Sequence, residues 1–264
     1  MTAIRLGAVG YLNARPLVYG LDQHSPFDLR YDVPSECARL LHGGDIDVGL
    51  IPSIEYLRGG PYSIAPDLAI ASRGDVASVM LFTRKSIRDV RSIALDTSSR
   101  TSVALVRVLC ARLFTIDPAL ESRGPDLADM LARADAALII GDNALFPPAD
   151  AAAIEKIDLG AAWTSLTGLP FVYAFWAGRP DALTPPDVHA LQRARDEGVL
   201  RPEELAREYL AGTPQWHARG AEYLRDNIKY YLRDEERAGL TLFYQYAAEL
   251  GLVERSGPLT FYAT

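Results

Sequence analysis

Soft metal ligands are scarce in this 264-residue chain, which has only two cysteines and four histidines. Cys37 and Cys110 lie far apart, each in a segment that reads as helix. Neither has a second cysteine or histidine at a metal-binding spacing. Both read as small core residues. Lysine is scarcer still, three against twenty-four arginines, a bias that fits guanidinium forks for carboxylates but more often reflects codon usage. There is no basic patch or tail: the net charge is -7, with acids spread along the chain, and this excludes a nucleic-acid footprint. Phosphate loops and dinucleotide fingerprints are also missing. The sequence from Met1 to Leu6 runs straight into strand-like residues without a charged leader or long apolar run, and the expected location is cytoplasmic. One uncharged stretch, Leu159 to Gly178, is as long as a membrane span, but Gly168 and Pro170 interrupt it. A helix end, a tight turn and a buried strand Phe171 to Trp176 account for it without a membrane.

What remains is an ordinary globular composition, 49% hydrophobic and 23% charged, long enough for a sizeable core in one or two domains. Short apolar strands alternate with helical segments: Ile4 to Val9 then Pro16 to Leu21, Leu29 to Val33 then Ser35 to Leu41, Ile46 to Ile51 then a short helical piece. Gly43 and Gly44 read as a helix stop. The alternation predicts βαβ units and a largely parallel sheet. From Ser92 the pattern restarts, with strand Ile93 to Leu95, a helix whose Val103, Val106, Leu109, Cys110 and Leu113 share a face, and strand Ala136 to Ile140. After Pro185 the chain reads as helical throughout, including Ala218 to Leu232. The expected architecture is α/β with two hinged lobes: residues 1–83 plus 178–264, and residues 84–177. Asp75 to Thr83 is the outward crossing and Phe171 to Trp176 the return, with a ligand cleft between the lobes.

In open α/β sheets, ligands sit beyond the carboxyl ends of strands, where helix N-termini present free N–H groups. Here those ends carry Asn13, Ser35, Ser53, the polar run Thr97 to Ser102, and Gly141-Asp142-Asn143. Six consecutive polar residues before an amphipathic helix offer several hydroxyls and N–H groups to one carboxylate, although Ser and Thr also cap helices without any ligand. Asn13 brings an amide able to donate or accept without a charge of its own. Arg15 and Arg100 are possible partners for an acidic ligand, and Glu55 and Asp142 the nearby ionisable groups. His24, His42, His189 and His217 all fall outside the strand ends, which disfavours a histidine base and Ser-His-Asp or Cys-His catalysis.

Taken together, Val9-Gly10-Tyr11-Leu12-Asn13 with Pro16-Leu17, the run Asp47 to Tyr56, Ser98-Ser99-Arg100-Thr101-Ser102, Gly168 to Val172, and Asn227 to Tyr231 with Gly239-Leu240 and Phe243-Tyr244 resemble the chorismate dehydratase family of the futalosine route to menaquinone. The resemblance covers nearly the whole chain in order. It implies a fold like type II periplasmic binding proteins used as a cytoplasmic lyase, which removes water from chorismate to give 3-[(1-carboxyvinyl)oxy]benzoate. The substrate would be a small dianion; the proposed chemistry needs no metal or organic cofactor, and neither nucleic acid nor membrane is an expected partner. The sister enzymes that make 1,4-dihydroxy-6-naphthoate resemble an Ile-His-Glu pattern where this chain has Ile140-Gly141-Asp142, which favours the dehydratase branch.

On that resemblance Asn13 is expected to orient the ring hydroxyl or enolpyruvyl group. Ser98, Thr101 and Ser102 are expected to bind one carboxylate, with Ser99 and Arg100 in the same turn. Ser35, Ser53, Ser78 and Phe171 are expected to contact substrate. The proton acceptor is either the substrate's own enolpyruvyl carboxylate or Asp142. The contrasting reading is a carboxylate-binding module without catalysis, sharing the cleft and hinge. Monomer and homodimer are both open.

Overall fold

Leu6 and Ala8 are fully buried, and the strand that carries them, β1 (Ile4–Val9), forms the middle of a sheet in a computed structural model describing residues 3–22, 26–148, 151, 153–254 and 257–264. His24 lies outside the described residues. After β1 a 3-10 helix runs over Leu12–Val18 instead of the helix expected from Pro16 to Leu21. Pro16 lacks the N–H that a longer α-helix needs, and Gly20 turns away at φ 71. Next come β2 (Phe27–Asp32), α1 (Pro34–Gly43) and β3 (Val48–Pro52). Gly44 closes α1 in the left-handed region, its N–H bonding to the carbonyls of Leu40 and Leu41, the stop that Gly43-Gly44 predicts. A short 3-10 turn, Ser53–Leu57, leads to β4 (Ser63–Ile64) and β5 (Ile70–Ser72).

The chain then builds β6 (Val79–Thr83), β7 (Ser92–Asp96), α2 (Arg100–Leu109, running on as a π-turn Cys110–Phe114), β8 (Ala119–Arg123), α3 (Leu127–Arg133), β9 (Ala136–Ile140), α4 (Asp142–Leu145), β10 (Glu155–Asp158) and α5 (Leu159–Thr167). After Gly168 at φ 72 comes β11 (Phe171–Gly178), buried along its whole length. The uncharged stretch is thus helix, turn and strand, and among the described residues no helix is long and apolar enough to cross a membrane.

Two sheets result, ordered β2-β1-β3-β11-β4 with β5 also on β11, and β10-β6-β9-β7-β8. Among the described strands, β1 with β2 and β3, and β7 with β8 and β9, pair in parallel; β11 and β6 run antiparallel to their neighbours, which corrects the expectation of a largely parallel sheet. The cause is the pair of crossings: a strand entering from the other lobe arrives reversed. The pairing also moves the expected lobe boundaries. β6 belongs to the second sheet through β9 and β10, and β11 to the first through β3, β4 and β5. Asp158 ties the outward crossing to the start of α5, its carboxylate accepting from Val76 and Ala77 N–H on the crossing and from Gly160 and Ala161 N–H in the first turn of the helix.

The tail holds α6 (Pro185–Gly198), α7 (Pro202–Tyr209), α8 (His217–Glu222) and α9 (Asp234–Glu249). The helix expected through Leu232 stops early: a π-turn spans Tyr223–Asn227, and the chain then extends, Lys229 pairing with Ala71 of β5. Ile228, Tyr230 and Leu232 are buried alternately, a two-residue period that marks extended backbone.

Candidate functional site

The carboxyl ends of β1, β3 and β9 and the N-terminus of α2 converge between the sheets on a cavity enclosing about 460 Å³ of space, its mouth included. Its polar lining is Tyr11, Asn13, Ser78, Ser99, Ser102 and Tyr173, and none of the described residues lining it carries a charge. That suits an anionic ligand: neutral donors and the partial positive charge of a helix N-terminus attract carboxylates without an ion pair. Ser99 caps α2, its Oγ accepting from Ser102 N–H at 3.4 Å and from Ser102 Oγ at 3.1 Å. Four expected residues, Asn13, Ser78, Ser99 and Ser102, therefore meet in one cavity.

Asn13 is the most telling of them. Its Oδ1 is buried and has no hydrogen-bond partner, a costly state for an amide carbonyl unless a ligand completes it. Ser78 accepts at Oγ from the hydroxyl of Tyr223 at 2.7 Å, and its carbonyl accepts from Gly141 N–H at 2.8 Å.

Other expected residues brace the lobes. Ser98 Oγ donates to Asp96 at 2.6 Å and accepts weakly from Tyr11 at 3.4 Å, while its carbonyl accepts from Ser35 N–H at 2.9 Å across the cleft. Ser53 donates to the Val172 carbonyl at 2.8 Å, and Thr101 Oγ1 accepts from Ile54 N–H at 3.1 Å; both side chains are fully buried in the seam below the cavity. Arg100 turns away to Glu55 at 2.8 Å. Glu55 is buried and also meets His42 and Arg58; burial pushes its carboxyl up, yet these partners outweigh burial and hold it below its ordinary value. Phe171 is corrected outright: fully buried, it packs edge-on against Trp163, Tyr173 and Phe243 in the first lobe's core and does not line the cavity.

Asp142 reaches across from α4. One oxygen accepts from Leu12 N–H at 3.2 Å, at the start of the turn carrying Asn13, and the other from the hydroxyl of Tyr209 on α7. Burial raises its pKa, opposed by Tyr209, by the Leu12 N–H and by the charge of Arg15. Arg15 itself is held between the faces of Tyr31 and Tyr209, 4.6 and 4.8 Å from their ring centres. Gly141 supplies a further contact between the lobes. At φ 64 its bare backbone seats the Tyr11 ring, and a Cβ there would lie 2.8 Å from Cε2. His42 and His217 are engaged by Glu55 and the Leu210 carbonyl, and His189 is exposed.

Sequence reasoning missed the tyrosines. Tyr11, Tyr173, Tyr209 and Tyr223 surround the site, but a tyrosine in an apolar strand such as β11 or in a helical pattern looks like any core aromatic. Only Tyr11, two residues before Asn13 at a strand end, carried a positional signal.

With the geometry in place, comparison with known proteins gives one consistent answer. A family profile described as "Menaquinone biosynthesis" matches residues 4–249. A chorismate dehydratase from Thermus thermophilus is 34% identical, covering 94% of this chain and 95% of its own length. One from Campylobacter jejuni is 27% identical over 93% and 98%. Among solved structures, a protein from Archaeoglobus fulgidus superposes at a TM-score of 0.75 with 19% identity, covering 96% of this chain and 99% of its own. The periplasmic aliphatic sulphonate binding protein SsuA from Escherichia coli superposes at 0.70 with 15% identity over 97% and 94%. These likenesses establish the two-lobed fold of periplasmic binding proteins. Both the profile, spanning nearly every element from β1 to α9, and the Thermus relative lead to the same conclusion: the chain belongs to the menaquinone biosynthesis family.

Proposed function

We propose that this protein is a cytoplasmic chorismate dehydratase, a hydro-lyase of the futalosine route to menaquinone that converts chorismate to 3-[(1-carboxyvinyl)oxy]benzoate. The observation that carries this reading is an uncharged cavity at the N-terminus of α2, lined by hydroxyls and by Asn13, whose buried carbonyl has no partner in the protein. The relatives' printed name supplies the substrate. In the reaction the C3–H bond breaks, its electrons form the C3–C4 double bond of the new aromatic ring, and the C4–O bond breaks. The C3 proton leaves with the departing hydroxyl as water. Aromatisation drives the step, so the protein mainly positions the substrate.

In this reading Ser99, Ser102 and the first N–H groups of α2 hold one carboxylate, and Asn13 Oδ1 accepts from the C4 hydroxyl. The enolpyruvyl carboxylate takes the C3 proton, to which it can fold back through a six-membered arrangement, and passes it to the leaving oxygen. Asp142 is the less suitable acceptor because both its oxygens are engaged outside the cavity lining. The lobes hinge at the two crossings, and closure excludes water.

Incubating the purified chain with chorismate and separating the products chromatographically tests the proposal. The expected result is the aromatic enol ether in step with chorismate loss. Bound but unchanged chorismate would instead mark a binding module, and the proposal would fall.

A further inference from the structure

Another face of α2 lines a second cavity, enclosing about 460 Å³ with its mouth included, in the seam between the lobes. Arg100 and Arg107 stand on that face two turns apart, about 10 Å along the axis, with the short side chains of Val103 and Ala104 as the floor between them. Arg58 lines the same cavity from the first lobe. No acid is among the described residues that line it, a local excess of positive charge in a chain whose net charge is -7. Glu55, the carboxylate behind these arginines, is buried and already spent. Its Oε1 accepts from Arg58 Nη1 at 2.9 Å, and its Oε2 accepts from Arg100 Nη1 at 2.8 Å and meets His42 Nε2 at 3.1 Å. Arg58 is fixed from a second side, its Nη2 donating to the Leu252 carbonyl at 3.1 Å. Arg107 is exposed, and among the described residues its side chain has no hydrogen-bond or ion-pair partner. Asp117 shares only the neighbouring groove with it.

The geometry points to this cavity as a binding site for a phosphoryl dianion, free phosphate or the phosphate of a small ester, clasped between Arg58 of one lobe and Arg100 and Arg107 of the other. Three guanidinium groups against one carboxylate leave two positive charges, which a dianion balances. Forks arriving from different elements suit a tetrahedral group, whose oxygens point several ways, better than a flat carboxylate. Glu55 then acts as a template: by holding one nitrogen each of Arg58 and Arg100 it sets both forks in place and leaves their remaining N–H groups for the anion. A ligand held in this way ties α2 to the first lobe. The same helix brings Ser99 and Ser102 to the first cavity, so the two sites share one element.

Equilibrium dialysis of the ligand-free protein against radiolabelled inorganic phosphate, at an ionic strength held constant with chloride, tests the site. Saturable binding is expected, and Arg107→Ala is expected to weaken it about tenfold. Alanine suits an exposed helical position, so this variant keeps the fold. Arg107→Lys, which keeps the charge without the fork, should fall between the two. Radiolabelled glycerol 3-phosphate in a parallel dialysis separates an ester from the free ion, and binding of either with the same dependence on Arg107 supports the proposal. Failure of both to bind overturns it. Undiminished binding by Arg107→Ala also overturns it, because the anion would then sit in the first cavity, among Ser99, Ser102 and the N-terminus of α2. Neither result depends on turnover of chorismate, so the dehydratase reading stands or falls separately.

Discussion

Replacing Asp142 by asparagine separates a proton acceptor from a strut between the lobes. The carboxylate accepts from Leu12 N–H and Tyr209 O–H. Asparagine keeps one acceptor oxygen and places an NH₂ against the other partner. Tyr209 has somewhere to turn, since the Gly10 carbonyl is 3.0 Å from its hydroxyl. The loss is therefore the difference between charge-assisted and neutral hydrogen bonds, about 1–2 kcal/mol in all. That corresponds to a fall in kcat/KM of about 5–30-fold, carried by KM because the strut favours closure over the substrate. Loss of a general base would instead remove about 10²–10⁴ from kcat. The pH dependence sharpens the contrast. Burial raises the Asp142 pKa, so in the unmodified protein the strut's charged form is lost, and KM rises, as pH falls through a value above that of an ordinary aspartate. In Asp142→Asn that acid-side rise is expected to disappear. Steady-state kinetics on chorismate across the acid range is the assay. A drop in kcat beyond about a hundredfold at unchanged KM would refute the reasoning and restore Asp142 as the base.

Two further outcomes follow from groups that the sequence placed near the site. Glu55 is held below its ordinary pKa by His42, Arg58 and Arg100 despite its burial. Its stabilising contribution is therefore present above the unfolded value, about 4.3, and lost as pH falls through the lower folded value. Because its arginine partners reach solvent, Glu55→Gln is expected to cost only about 2–3 kcal/mol near neutral pH. Denaturant midpoints of the two proteins should converge below about pH 4, and a constant gap would contradict the assignment. Phe171→Leu should lower stability by about 1–2 kcal/mol while leaving kcat and KM of the folded fraction within about twofold. A selective change in KM would return Phe171 to the binding site.

Much of the fold was legible because its signals are local. The strand Ile4 to Val9, the glycine stop after α1, the face of α2 and the restart at Ser92 all follow from periodicity and caps. What stayed hidden depends on distant pairing. Nothing within Val79 to Thr83 says that it bonds to β9 rather than β3, and the buried run from Phe171 reads equally as either lobe's strand. Lys229 lies in a helical pattern, and the tertiary demand of the β5 edge overrides it. The site divides in the same way. Polar strand ends pointed to Asn13, Ser99 and Ser102, because helix N-termini advertise themselves in sequence, whereas Ser78, just before β6, came only with the family resemblance. Hydroxyls at Ser53 and Thr101 look identical in one dimension, and only packing shows that they face a seam. The tyrosines behind the cavity arrive from the tail, where no pattern links them to Asn13.

The place of β11 beside β3 has a consequence for how the molecule is made. As the chain emerges from the ribosome, β1, β2 and β3 appear early but carry an open flank, since the strand that covers it is synthesised only after the entire second sheet. The second sheet has no such debt, as β6 to β10 are contiguous along the chain. It can therefore mature first, while the opening strands, including the turn with Asn13, wait for Phe171–Gly178. Nascent chains arrested before and after that strand should differ sharply in protease resistance over their first fifty or so residues, on the order of one small folding unit.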